Sequence, residues 1–358
     1  GTQHNQGDSL GSVTPGINGP TSLAAIKNAD SNLAQVQQAL KDLGLEATTN
    51  IVVAADHGFS TISKESSTSP AAKADYKDVG KGQLPPGFVA IDLAKALKLP
   101  LFDPDSKNAA VADGTYPRLA NGLIGNDAAK PDVVVAANGG SDLVYIPKKG
   151  KKVDKDFGRK VVDALLSQDY VSGVFVHDSF GRIPGTLPLS AINLKGNSLT
   201  PAPAIVVNFR SYASDCGEPL LCGVEIADTR LQQGQGMHGN FSRADTMNFM
   251  AAIGPDFKTG YVNTLPVSNA DVGKTIIQIL GLKPTEIGGL TGRVISEALP
   301  NGLTPKSTTG RLASKPSADG LRTVVQFQQV LGQRYFDAAG FPGRTLGLDA
   351  TETASAKK

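Results

Sequence analysis

The chain of 358 residues contains no tryptophan, only two cysteines, three methionines and four histidines, and aromatic residues make up 6% of it. Its lysines and arginines outnumber its acidic residues by only two, so the net charge is +2. So small a net charge gives no indication of a surface that binds nucleic acid or an anionic membrane. No apolar run approaches the roughly 20 residues that a membrane-spanning helix needs. The composition therefore favours a globular protein without a nucleic-acid or membrane partner.

The two cysteines, Cys216 and Cys222, flank a turn at Gly217-Glu218-Pro219 that would bring their sulfur atoms together. We predict a local disulfide and an oxidising compartment, the alternative being two free thiols. Zinc binding by this pair alone is not expected, because structural zinc takes four ligands. The first residue is Gly1 and no signal-peptide pattern is visible, so we expect a processed chain or a fragment of a longer one.

Apolar runs alternate with helical spacing along most of the chain. This alternation predicts an α/β fold with a largely parallel sheet sandwiched by helices. The predicted strands are 51–55, 132–137, 143–146, 173–177 and 204–209. The predicted helices begin near Thr21, Asp92, Phe157 and Val272, with a last helix around 324–336.

The first predicted strand, Ile51 to Ala55, ends in Asp56, His57 and Gly58. An acid and an imidazole at the carboxyl end of a buried strand would lie at the sheet edge where α/β proteins bind ligands. Gly58 lets the backbone turn at once and approach such a ligand. The alternative is structural: a core histidine and an aspartate that caps a helix.

A second histidine, His238, lies in a glycine-rich segment that matches the dinucleotide fingerprint G-x-G-x-x-G from Gly234 to Gly239. The segment follows polar residues rather than a strand, and no helix opens at the glycines, so the fingerprint interpretation fails on context. The glycines instead free the backbone around a histidine. His177 follows an apolar strand, and we interpret it as structural.

The order of these motifs carries a resemblance. Asp56-His57-Gly58, then His238-Gly239, then 254–258 (Gly-Pro-Asp-Phe-Lys) and the helical stretch 272–282 resemble the alkaline phosphatase superfamily. The likeness is closest to the branch of nucleotide pyrophosphatases and phosphodiesterases, and it spans about 1–62 and 200–295. It implies the alkaline phosphatase-like α/β fold and a zinc-dependent hydrolase of phosphoric esters, acting on a small-molecule phosphate ester.

What the resemblance implies for single residues follows from the motifs. Asp56 and His57 match the pair that binds one zinc ion, and His238 matches a ligand of a second zinc ion. His4 matches the end of an Asp-x-x-x-His pattern that supplies another ligand of that second ion, and the Asp would precede Gly1.

The family's nucleophile, a Ser or Thr, would likewise lie upstream of Gly1. Thr115-Tyr116-Pro117 looks like a nucleophile loop but lies on the wrong side of Asp56, so it is assigned no role. No catalytic residue is therefore assigned within the chain. We expect a fragment that has little or no activity alone.

The resemblance also divides the chain into an alkaline phosphatase-like core of residues 1–62 and 200–300, an inserted region at 63–199 and a C-terminal tail with one helix at 301–358. The implied location is secreted or periplasmic. Three alternatives stay open: a non-catalytic binding protein on the same fold, a sulfatase relative and a phosphoglycerate mutase relative.

Overall fold

A computed structural model describes residues 8–9, 11–147, 154–194, 199–285 and 291–348 of the chain. His4 lies outside these ranges, so its predicted position near the other histidines stays a prediction. None of the helices in the described ranges is both long and apolar enough to cross a bilayer. The predicted disulfide between Cys216 and Cys222 is confirmed, with the two Cα atoms 5.9 Å apart.

The helices begin where the sequence supplies start signals. Pro20 occupies the first turn of the longest helix, the Asp154 side chain accepts a hydrogen bond from the Phe157 amide, and Ser268 forms a capping box with Asp271. The Asp154 and Ser268 side chains satisfy backbone N–H groups that a helix start leaves without partners, whereas proline removes one such N–H. The helices are α1 (Pro20–Asp42), α2 (Phe88–Leu97), α3 (Lys155–Leu166), α4 (Arg243–Thr246) and α5 (Asn269–Ile279).

The largest sheet has eight strands in the order β4-β3-β5-β6-β7-β10-β8-β9. Its strands are β3 (Leu101–Asp103), β4 (Ala109–Ala110), β5 (Gly122–Ile124), β6 (Val133–Ala137), β7 (Ser141–Tyr145), β8 (Val171–Val176), β9 (Leu187–Pro188) and β10 (Ile205–Phe209). Every pairing in it is antiparallel except that of β8 with β9. The α/β class is thus confirmed, but the described strands do not form the largely parallel sheet that we expected.

The reason for this difference lies in what covers the two faces of the sheet. Val174 and Val207 face the core that includes α2 and α3, whereas Phe175 and Val206 face a second core with Val325 of the C-terminal sheet. A strand buried on both faces loses its apolar–polar alternation and resembles a parallel strand in sequence. Here helices cover one face and strands cover the other, so the expected helical sandwich is wrong for this sheet.

The C-terminal sheet contains β15 (Ser307–Ala313), β16 (Val324–Val330) and β17 (Gln333–Gly340), all antiparallel. The predicted helix around 324–336 is therefore wrong. Leu331 and Gly332 connect β16 to β17 with φ values of 49° and 82°. Two positive φ values in a two-residue loop are typical of a tight hairpin turn, which the helical spacing of the apolar residues conceals.

Two small sheets carry the segments around the predicted metal ligands. β1 (Ile51–Ala54) pairs antiparallel with β14 (Met250–Ile253). The other sheet has the order β11-β12-β2-β13, from β2 (Ser60–Ser63), β11 (Ser211–Ala213), β12 (Gly223–Ile226) and β13 (Gly236–Met237). The large sheet lies within residues 101–209, and the predicted division into core and inserted region stays a prediction.

Candidate functional site

The two histidines that the sequence singled out meet in the structure. His57 lies in the link from β1 to β2, and His238 follows β13 directly. β13 pairs antiparallel with the start of β2, with Met237 opposite Ser60, so the residue after β13 lies beside the residues before β2. The rings of His57 and His238 stack with their centroids 3.7 Å apart and an interplanar angle of 21°.

The backbone carbonyl that follows His57 determines which ring nitrogen is available to bind a metal ion. The Nδ1 atom of His57 lies 2.6 Å from the carbonyl oxygen of Gly58. A carbonyl only accepts hydrogen bonds, so this contact requires the proton on Nδ1 and leaves a lone pair on Nε2 when the ring is neutral. A hydrogen bond from the second ring nitrogen to a backbone carbonyl is the usual support of a metal-binding histidine.

The Asp56 side chain is far more exposed than that of His57. Its Oδ1 atom lies 3.5 Å from Nε2 of His57, and 88% of its side chain is exposed, against 36% for His57. Two amides hold the backbone here: Asn248 donates to the carbonyl oxygen of Ala55 at 2.8 Å, and Asn269 donates to that of Asp56 at 2.9 Å. These hydrogen bonds hold the backbone of Asp56 and do not involve its carboxylate.

The segment after His238 crosses the turn between β6 and β7 at close range. The amide of Gly140 donates to the carbonyl oxygen of His238 at 3.0 Å, and Ser141 Oγ donates to that of Gly239 at 2.7 Å. Gly239 has a φ of 101°, and a β-carbon there would lie 2.7 Å from the carbonyl oxygen of Asn138. Glycine is required at this crossing because another residue would meet backbone.

An acidic pair, Glu225 and Asp245, lies against the segments that carry the two histidines. Both side chains are buried, and burial is the main cause that raises the pKa of each carboxyl group above its ordinary value. No motif marks these residues, because they are neighbours of the histidines in space and not in sequence. Asn248 and Asn269 were missed for the same reason.

The structure thus brings His57 and His238 together, sets Asp56 beside them and leaves His4 outside the described residues. Two imidazoles and a carboxylate are donor types that zinc accepts. In the described part of the chain, however, no group of three or more His, Cys, Asp or Glu side chains is arranged to hold a metal ion. The donor chemistry fits zinc, and a complete ligand set needs further residues.

His177 lies away from this pair, at the far end of β8, where its Nδ1 accepts a hydrogen bond from the Ser179 amide at 3.1 Å. That contact caps a single helical turn and agrees with a structural role. The glycines around His238 open no helix either, since α4 begins only at Arg243.

Comparison with known protein families gives an independent view of the first part of the chain. The family described as type I phosphodiesterase / nucleotide pyrophosphatase matches residues 2–150, a stretch that contains His4, Asp56 and His57 but not His238. No curated protein matches the chain. The match supports phosphoric ester hydrolysis. Residues 2–150 are therefore similar to the type I phosphodiesterase / nucleotide pyrophosphatase family, which confirms the resemblance to the alkaline phosphatase superfamily that the Asp56-His57-Gly58 motif indicates.

Proposed function

We propose that this protein is a zinc-dependent hydrolase of phosphoric esters, of the phosphatase or phosphodiesterase type, that acts on a small-molecule substrate. The observation that carries the proposal is the stacking of His57 on His238, with ring centroids 3.7 Å apart. These residues come from distant parts of the chain, and each is followed by a glycine. The family match over 2–150 supports the reaction class.

In this proposal Asp56 and His57 hold one zinc ion, and His238 and His4 hold a second. The zinc ions would act as Lewis acids that stabilise negative charge on the oxygens of the phosphoryl group. The hydrogen bond to Gly58 keeps the proton of His57 on Nδ1, so that Nε2 can bind. Asn248 and Asn269 hold the strand end from which the Asp56 carboxylate projects into solvent.

No nucleophile is assigned within residues 1–358. The resemblance implies a Ser or Thr N-terminal to Gly1, whose oxygen would attack phosphorus and displace the ester's alcohol as the leaving group. Water would then cleave the covalent intermediate and release the hydroxyl. The candidate site would bind and orient the phosphoryl group for that attack. Whether the substrate is a monoester or a diester depends on residues that contact its other substituents.

Zinc content is the first test, and the chain offers a matched control histidine. Zinc bound after dialysis is measured for the unchanged chain and for His57→Ala, His238→Ala and His177→Ala. We expect the first two variants to bind less zinc than the unchanged chain. His177→Ala should bind as much, since His177 follows the C-terminal end of β8 and caps a helical turn there. Equal zinc in all three variants would contradict the ligand assignment.

Turnover is the second test. Hydrolysis of p-nitrophenyl phosphate and bis(p-nitrophenyl) phosphate is measured for residues 1–358 and for a protein that includes the implied nucleophile segment. We expect zinc-dependent turnover of at least one substrate only in the longer protein. Turnover by residues 1–358 would show that the nucleophile lies within them.

One observation favours a second candidate, a non-catalytic binding protein on the same fold. No three potential ligands among the described residues form a metal-binding group. A longer protein that binds no zinc, hydrolyses neither ester and unfolds at the same temperature with and without a chelator would establish this alternative. The disulfide between Cys216 and Cys222 supports a secreted or periplasmic location, which cell fractionation would test.

A further inference from the structure

One buried residue, Asp245, forms hydrogen bonds with both of the segments that carry the candidate histidines. The carbonyl oxygen of Asp245 accepts a hydrogen bond from the amide of Gly58 at 2.8 Å. Its Oδ1 atom accepts from Ser60 Oγ at 2.6 Å, and its Oδ2 atom accepts from the amide of Asn240 at 2.9 Å. Gly58 is adjacent to His57, and Asn240 lies two residues after His238.

These bonds are shielded from solvent. Asp245 is 6% exposed, Asn240 is 3% exposed and Ser60 is fully buried. Water therefore cannot replace a carboxylate oxygen that is lost here, and the two donors would be left without acceptors. Because one carboxylate receives a donor from each segment, the distance between the segments depends on that carboxylate.

Glu225 completes the arrangement from the neighbouring strand. It lies in β12, which pairs with β2, and its side chain is fully buried against Asp245. No donor among the described residues reaches either of its carboxyl oxygens. Burial, followed by the charge of Asp245, raises the pKa of Glu225 well above its ordinary value. A protonated Glu225 can donate its own proton to the Asp245 carboxylate that it lies against.

We propose that Asp245 is the positioning residue that holds His57 against His238, and that Glu225 supports it as a hydrogen-bond donor. Asp245 does not touch the substrate in this proposal. It acts by adding two buried side-chain hydrogen bonds to the short backbone pairing of β13 with β2. The effect on zinc binding rests on the proposed function, whereas the effect on the two rings does not.

The test compares Asp245→Asn with Asp92→Asn, a matched control elsewhere in the fold. Asp92 is also buried, at 4% exposed, and accepts from Ser69 Oγ at 2.6 Å and from the Ala71 amide at 2.8 Å. Zinc affinity is measured by calorimetry, and the imidazole proton signals of the metal-free protein are recorded by NMR. The ring-current shifts of His57 and His238 report their stacking directly.

For Asp245→Asn we expect zinc affinity to fall roughly 10- to 100-fold, as for other groups that support metal ligands, and the ring-current shifts to be lost. Asp92→Asn should change neither quantity. Glu225→Gln should retain both, because its amide can donate to Asp245 as the protonated acid does. Ser60→Ala removes one hydrogen bond to Asp245 and tests the positioning role if Asp245→Asn does not fold. In this variant we expect smaller ring-current shifts of His57 and His238.

The outcomes separate the two proposals. Unchanged shifts and unchanged zinc affinity in Asp245→Asn, or unchanged shifts in Ser60→Ala if Asp245→Asn does not fold, would overturn the positioning role. A wild-type chain that binds no zinc but loses its ring-current shifts in Asp245→Asn would leave the positioning role in place and remove the zinc ligands from the proposed function.

Discussion

Gly58 lies against the backbone of Ala244 so closely that a β-carbon at position 58 would overlap the carbonyl oxygen of Ala244. The same β-carbon would lie 2.7 Å from the carbonyl oxygen of Met247. Backbone atoms of a hydrogen-bonded turn cannot move aside as a flexible side chain can. The glycine after His57 is therefore required by the contact between the β1–β2 link and α4.

We expect Gly58→Ala to separate these segments and to destabilise the protein by about 1–3 kcal/mol, the usual cost of overpacking. The variant should also lose the ring-current shifts of His57. Gly273→Ala is the control: Gly273 lies in α5, and nothing would lie within 4 Å of its β-carbon. That change should stabilise the protein by roughly 0.5–1 kcal/mol. Urea unfolding measures both, and equal stability of the two variants would contradict the argument.

The sequence predicted those elements whose signals are local. α1, α3 and α5 follow from apolar spacing and end signals, and β1 follows from a short run of β-branched residues. The orientation of the large sheet could not be predicted, because β8 is buried on both faces whether helices or strands cover it. The pair β16–β17 was predicted as a helix because Val324, Phe327 and Leu331 have helical spacing.

The residues of the candidate site also separate into those with a local sequence signal and those without one. His57 and His238 could be found because each is followed by glycine and the chain has only four histidines. Asp245 and Glu225 could not, since an acidic residue in an ordinary stretch shows nothing of its burial until the strands pair. A sequence reveals a histidine beside a glycine more readily than it reveals the buried acidic groups that contact the same segments.

A buried ion pair joins two residues that follow α5 in the chain. Arg293 donates from both terminal nitrogens to the carboxylate of Glu297, at 2.7 and 2.8 Å, and the two side chains are 4% and 0% exposed. We expect Glu297→Gln to cost about 3–5 kcal/mol of unfolding free energy, because it leaves the guanidinium buried without a counter-charge.

The exposed pair of Arg159 and Asp163, 4.0 Å apart, serves as the control for this prediction. Asp163→Asn should change stability by less than about 1 kcal/mol, since solvent screens an exposed pair. Chemical denaturation of both variants gives the comparison. A loss in Glu297→Gln as small as that in Asp163→Asn would show that the buried pair does not stabilise the fold.

The disulfide closes a short loop, since Cys216 and Cys222 are only six positions apart in the sequence. Loop-closure entropy for so few residues predicts a stabilisation of about 2 kcal/mol. We expect Cys216→Ser to lower the free energy of unfolding by about that amount, whereas Cys222→Ser should cost more because Cys222 is buried. Denaturation with and without reductant checks this: reductant should destabilise the unchanged chain and leave both variants as they are. An unchanged chain whose stability does not respond to reductant would contradict the predicted stabilisation.

The buried carboxyl group of Asp92 should make the stability of the fold depend on pH. Burial raises the pKa of Asp92 from 3.8 to about 6, although hydrogen bonds from Ser69 and Ala71 oppose the shift. Between pH 4 and 6 the folded state therefore binds more protons at this site than the unfolded state does. The stabilisation that Asp92 contributes is fully present below pH 3.8 and is lost as pH rises through 6, by about 3 kcal/mol in all.

Asp92→Asn should remove this contribution to the pH dependence of the unfolding free energy, measured by urea unfolding at pH 4 and pH 6.5. Asp163→Asn, at an exposed position, should leave the slope as it is. An unchanged slope in Asp92→Asn would mean that Asp92 ionises at its ordinary pKa in the folded protein.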